Sequence, residues 1–324
     1  MSAERRTQGL GSWGLYHLQL GLGAAGLGAC ALVLAAGVSS VHVRPDAAHR
    51  LDVAGVGLTY PAVNAAALTL LALAALGAAV LIVTARAAWR QIRAHRRFIR
   101  ALPVRGPLAE HPTVLVVDTA APLAFCAGWL RPRVYVSTGV LGLLSERELR
   151  AVLAHETHHG ALRDPLRLAV GRVLCQALFF LPVLRPLHDR YADVAELDAD
   201  AAALEASDGA TAPLASAMLA FGTTKTGGVV GISPERIDSL LGWPPAWRLP
   251  RMLLIAALAT IAALVALVWR ASASASIQAT LNLPIASSQP CVLVLALVPV
   301  LACLAAVLAR RPALATVRRT SAGS

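Results

Sequence analysis

The string His155-Glu156-Thr157-His158-His159 sets two histidines four residues apart, with a glutamate beside the first. On a helix, positions i and i+4 share a face with Cβ atoms about 6 Å apart, so His155 and His159 can bind one zinc ion. Glu156 then stands where it can take a proton from a zinc-activated water, which is general-base chemistry for hydrolysis. His158 offers the i,i+3 spacing from His155, but the H-E-x-x-H pattern selects His159. A catalytic zinc needs three protein ligands and one open position. A histidine shortly after the motif does not supply the third, because Leu162 and Pro165 stand there. Glu196-Leu197-Asp198-Ala199-Asp200 can. On a helix Glu196 and Asp200 share a face, so Glu196 completes the metal site and Asp200 accepts a hydrogen bond from a ligand histidine. An oxyanion formed during hydrolysis wants a further donor. Tyr191, Arg190 and His188 are the candidates, and spacing does not choose among them.

These residues need rigid elements. Leu149–Ala154 reads as an apolar-faced helix that runs into the motif and on through about Gly160. Ser145-Glu146-Arg147-Glu148 is a capping box at its start. Asp164-Pro165 opens a following helix, and Arg190–Leu204 forms another. Thr113–Asp118 and Arg133–Ser137 read as strands. Pro122–Gly128 between them is an edge strand or a loop, and as an edge it could bind a substrate backbone by strand addition. Residues 222–250, with their glycines and prolines, read as a linker.

Of the 324 residues 57% are hydrophobic and 15% charged, against about 25% charged in an ordinary soluble domain. That excludes disorder and a fully soluble protein. About 20 apolar residues cross a bilayer core, and four runs reach that length: about 18–38, 62–84, 252–269 and 291–308. The expected fold class is therefore α+β, a mostly helical integral membrane protein with four transmembrane helices. The expected domains are a membrane region at 1–84, a soluble catalytic domain at 85–250 and a second membrane region with a basic tail at 251–324.

The net charge of +11 is almost all arginine, since Lys225 is the only lysine. Arg5 and Arg6, the series from Arg86 to Arg105, and Arg310 to Arg319 all flank apolar runs. The positive-inside rule then puts both termini and 85–250 in the cytoplasm. The arginine stretch 86–105 reads as a juxtamembrane helix that meets the lipid bilayer, with no direct nucleic-acid partner. The five cysteines include no C-x-x-C pair and are expected to be free thiols. Glycines within 18–27 leave room for close helix packing and a homodimer.

The apolar stretch 166–184 invites a fifth span. One crossing would separate His159 from Glu196 across the bilayer. Two need roughly 40 residues plus a turn, and only about 36 lie between them. The stretch is expected to be interfacial, re-entrant or buried in the domain.

H-E-x-x-H followed by E-x-x-A-D resembles the pattern of integral-membrane gluzincins. Residues 122–159, with Asp164 after the motif and Ser233–Leu241 (SPERIDSLL), look like the BlaR/MecR-type zinc metallopeptidases. The resemblance covers roughly residues 60–310. It implies a zinc-dependent endopeptidase with one Zn2+, in the inner membrane of a bacterial cell. The implied substrate is a cytoplasmic transcriptional repressor or the protease itself, in signal transduction. The second group sharing both motifs is the HtpX/Ste24-type quality-control proteases, whose membrane crossings between the motifs the spacing here disfavours. A non-proteolytic membrane sensor with a retained zinc site is the remaining alternative. The beta-lactam sensors of the BlaR type carry a penicillin-binding domain that this sequence is expected to lack. Lys225-Thr226-Gly227 imitates one of its motifs without the accompanying S-x-x-K nucleophile.

Overall fold

The computed structural model describes residues 11–40, 48–53, 56–61, 65–223, 234–243 and 247–278. In chain order the elements are α1 (Ser12–Ser40), β1 (Ala48–Val53), β2 (Val56–Pro61), α2 (Ala65–Ala101), β3 (Val104–Leu108), β4 (His111–Val117), β5 (Ala124–Ala127), β6 (Arg133–Ser137) and α3 (Thr138–Leu143). There follow α4 (Glu146–Leu162), α5 (Asp164–Ala177), α6 (Leu184–Glu205), α7 (Ala212–Thr223), α8 (Pro234–Leu240) and α9 (Arg251–Gln278). They form two compact units. Of the described residues, one unit comprises those from 11 to 24 and from 84 to 258, and the other those from 25 to 83 and from 259 to 278.

Among the described residues, three helices are long and apolar enough to cross a membrane: Ser12–Ser39, Leu68–Ala101 and Arg251–Ala273. They overlap three of the expected spans, the second starting a few residues later than expected and running on through the arginine-rich stretch. The fourth, at 291–308, lies outside the described residues. In the second unit Val33, Leu70, Val268 and Ala271 make a buried cluster. Gly77 lets α2 lie directly on α1, because a Cβ there would stand 2.6 Å from the Cys30 carbonyl oxygen. Small residues of this kind let apolar helices pack backbone to backbone. β1 and β2 form an antiparallel hairpin in the stretch between the first two spans, which the sequence pattern did not announce.

The first unit is built around a four-stranded sheet of order β3-β4-β6-β5. β4 and β6 run parallel, and β3 and β5 pair antiparallel at the two edges. Pro122–Gly128 thus contains an edge strand, β5. Ser137 ties the sheet to α3: its hydroxyl accepts from the Leu123 N–H at 2.9 Å and from the Val140 N–H at 3.0 Å. One sheet face packs Val114, Val134 and Val136 against Leu153 of α4. The other packs Tyr135 and Val117 beside Ile99 and Leu102 at the end of α2. On its far side α4 meets α6 and α7 through Ala151, Ala203 and Leu214, where alanines allow close helix approach.

The ends of α4 are specified locally. The capping box forms, with the Ser145 hydroxyl accepting from the Glu148 N–H and Glu148 accepting from the Ser145 N–H. The helix stops at Arg163, which takes a left-handed conformation with φ 56°. The chain reverses there and Asp164 becomes the first residue of α5 rather than its cap. Between the two metal motifs the chain makes α5 and a turn, with Leu178, Leu181 and Val183 buried, so the apolar stretch is core of this unit. The expected linker at 222–250 contains α8, whose Arg236 is buried.

Replacing Ser145 by Ala removes the side-chain acceptor of that box. The expected cost is about 1 kcal/mol of stability, read as a lower urea midpoint of the detergent-solubilised protein.

Candidate active site

α4 carries His155 and His159 on one face, and α6 brings Glu196 opposite them. The three ligand atoms lie within 4.8 Å of one another. His155 Nε2 is 3.2 Å from His159 Nε2. Glu196 Oε2 is 3.6 Å from the first and Oε1 3.5 Å from the second. His158 is not part of this group; its Nε2 is buried without a hydrogen-bond partner.

The other ring nitrogens face carboxylates. His159 Nδ1 donates to Asp164 Oδ2 at 2.8 Å. His155 Nδ1 lies 3.0 Å from Asp200 Oδ1, off the hydrogen-bond direction. A carboxylate only accepts, so each Nδ1 is the protonated nitrogen. Both Nε2 atoms then present lone pairs to the same small space, together with a carboxylate. In the metal-free protein a proton on His155 occupies this space; once it leaves, two imidazoles with one carboxylate suit zinc with an open position. The residues therefore fit the ion.

Each carboxylate has a further anchor. Tyr191, fully buried, donates its hydroxyl to Asp164 Oδ1 at 2.5 Å. Arg236 grips Asp200 in a fork, Nε to Oδ2 at 2.7 Å and Nη2 to Oδ1 at 2.6 Å. Its Nη1 lies 3.0 Å from Glu196 Oε2. Arg236 was not visible as a site residue in the sequence. It lies about 40 residues from its partners, and only the S-P-E start of α8 signals a helix there.

The electrostatics follow from this packing. Burial alone would push the Glu196, Asp200 and Asp164 carboxyls up. The facing histidines outweigh it for all three, helped by Arg236 at Glu196 and Asp200 and by Tyr191 at Asp164, and hold them below the ordinary range. Burial would depress His155, but Asp200 and Glu196 lift it to about 9 in the metal-free protein. Burial raises the Glu156 carboxyl, although His155 and His159 pull against that shift. Glu156 accepts a hydrogen bond from the Cys126 backbone on β5, so it is fixed beside the edge strand.

A cleft of about 620 Å³ opens over these groups. His155, Glu156, His159 and Glu196 line it, with Gln91, His95 and Phe98 of α2 on one wall and Leu214, Met218 and Phe221 of α7 on another. Cys126 of β5 also faces it, its thiol pushed up to about 12 by burial and the nearby carboxylates. The three candidate oxyanion donors are absent from the lining. Tyr191 is committed to Asp164. Arg190 pairs with Glu235 and stacks over Trp247. His188 packs against Gly171, and its Nδ1 is buried.

Residues 85–225 match peptidase family M48. The family consists of zinc metalloproteases. The HtpX protease homologue of Ralstonia pickettii (strain 12J) is 41% identical over 85 residues, 25% of this chain and 29% of that protein. Protease HtpX of Psychrobacter sp. (strain PRwf-1) is 39% identical over 85 residues, 25% of this chain and 28% of that protein. The chain thus spans under a third of the length of these relatives. No solved structure matches. This likeness is to the HtpX group, the alternative to the BlaR/MecR type among proteins sharing both motifs.

The geometry of the peptidase domain generates two expectations. Arg236→Ala takes the guanidinium from buried Asp200 and half-buried Glu196, leaving His155 as their facing positive charge, and should cost up to about 3–5 kcal/mol in the metal-free protein, measured by urea denaturation with chelator present. Zinc must displace the proton that His155 holds up to about pH 9. Affinity should therefore rise with pH toward that value and level off above it. Calorimetry in two buffers at about pH 7.5 should show proton release on binding.

Proposed function

We propose that the protein is a membrane-bound zinc endopeptidase that cuts an extended protein segment at the mouth of this cleft. The observation that carries the reading is the convergence of His155, His159 and Glu196 in a cleft that also holds Glu156 beside the free edge of β5. A bound zinc ion supplies Lewis-acid chemistry, acidifying a water and polarising the scissile carbonyl.

The chain's own residues do the rest. His155, His159 and Glu196 hold the ion. Asp164 and Asp200 keep the two imidazoles in the tautomer that leaves Nε2 free. Glu156 takes the proton of the attacking water and hands it to the departing amine, and its raised carboxyl suits that exchange. The edge of β5 offers main-chain groups to an extended substrate, giving binding with little sequence preference.

The arginines flanking the spans support a cytoplasmic placement of the peptidase domain in a bacterial inner membrane. Two target classes remain. The BlaR/MecR resemblance, and the absence of any candidate span between the two metal motifs among the described residues, favour a transcriptional repressor or the protease itself, cut in a signalling step. The HtpX relatives favour general quality control of membrane-adjacent proteins.

Casein cleavage by detergent-purified wild type should stop with chelator and return with zinc. Glu156→Gln should lower the rate about 100- to 10,000-fold while binding zinc as wild type does. Turnover of casein supports quality control, and cleavage confined to the chain itself or to one repressor supports signalling. A folded, zinc-loaded protein that cuts nothing would instead favour the non-proteolytic sensor.

A further inference from the structure

The two ligand histidines are braced in different ways. Behind His155 stands Asp200, forked by Arg236. Behind His159 stands Asp164, and its support leads away from the cleft toward α1. Tyr191 donates to Asp164, and the Arg167 side chain on α5 stands close enough for its charge to act on both. The Arg167 guanidinium lies 5.3 Å from the ring centre of Trp13 and 5.2 Å from that of Tyr16. The Tyr16 ring also stands 5.8 Å from the Tyr191 ring. One Arg167 nitrogen is buried with no hydrogen-bond partner, and the two aromatic rings pack within reach of the guanidinium.

We propose that Arg167 and Tyr191, gripped by Trp13 and Tyr16 in the first turns of α1, are positioning residues that orient His159 through Asp164. The start of the first apolar helix is thereby part of the metal site's support. That end of α1 is seated on the peptidase domain independently of this path. The Ser12 hydroxyl donates to Asp198 at 2.6 Å, and the Leu174 side chain fills the space beside Gly23. Removing the aromatic faces frees the guanidinium, leaves the Tyr191 hydroxyl supported from one side only, and lets Asp164 and His159 turn together. His155 and Glu196 keep their own braces, so the site loosens at one ligand rather than collapsing.

The proposal rests on the metal-site reading above and is tested on the full chain in detergent with Co2+ as probe. The readouts are Co2+ affinity by chelator competition and the visible absorption of the bound ion, which reports ligand geometry. The W13L/Y16L double variant should weaken Co2+ binding about tenfold and shift the absorption. R167M should do the same, combining R167M with W13L/Y16L should add little, and R167K should restore part of the loss. Y191F keeps the ring and the packing, and should reproduce the shift if a larger variant fails to fold. S12A, off the path, should lower the melting temperature and leave both readouts unchanged. Wild-type Co2+ affinity and absorption in W13L/Y16L and Y191F would overturn the proposal, as would losses that multiply in the combined variant. A wild type that binds no Co2+ would overturn the metal-site reading and this proposal with it.

Discussion

Two imidazole lone pairs and a carboxylate are held facing one another across a gap of under 4 Å. Such a group needs positive charge within it, a proton on His155 in the metal-free protein or a metal ion in its place, and most of the domain can be understood as what keeps it in place. Each histidine has a carboxylate at its back, and each carboxylate has a donor of its own. The supports come from three helices, α5, α6 and α8, around the histidines of α4. Rigidity is needed because a free imidazole would rotate away from its neighbour. The nearby residues that fix the helices, from the Ser145 box to the left-handed Arg163, serve that requirement at one remove. Arg163 matters most directly, since the reversal it makes returns Asp164 to His159 only five positions after it.

Much of this was legible in the sequence because its signals are short-range. His155 and His159 are a helical pair, Glu196 and Asp200 another, and Ser145 with Glu148 a third; each follows from the 3.6-residue period. The sheet strands at 113–118 and 133–137 stood out as β-branched runs and appear within a residue or two of their expected bounds. What the sequence concealed depends on contacts between distant segments. Arg236 is one arginine among many until α8 folds back onto α6. Tyr191 looked like a donor for the cleft, but it stands about 140° around α6 from Glu196 and is buried, with its hydroxyl on Asp164. The continuity of α2 from Ala65 to Ala101 was also hidden, because apolar and arginine-rich halves read as two things although nothing between them breaks a helix.

The apolar stretch after the first motif shows how topology disciplines composition. By hydropathy alone it competes with the spans. The short interval between His159 and Glu196 leaves no room for a return crossing, and the chain uses the stretch as domain core, with Leu174, Leu178, Leu181 and Leu184 buried. The resulting layout keeps both metal motifs on one compact unit. Its sequence likeness is to HtpX proteins over the peptidase stretch, so family likeness and the arrangement of apolar segments are separate features of this chain.

The edge strand β5 is only four residues long, and among the described residues no strand pairs with its outer side. A polypeptide pairs with it only after giving up its own secondary structure over a comparable length. On the proposed reading the cleft then selects by the mechanical softness of its target rather than by a sequence code. A segment that opens readily is cut quickly, and each 1.4 kcal/mol of local opening free energy slows cutting by about tenfold. Such a protease would act as a gauge of local unfolding in its neighbours, with the threshold set by how much strand-pairing energy four residues can return.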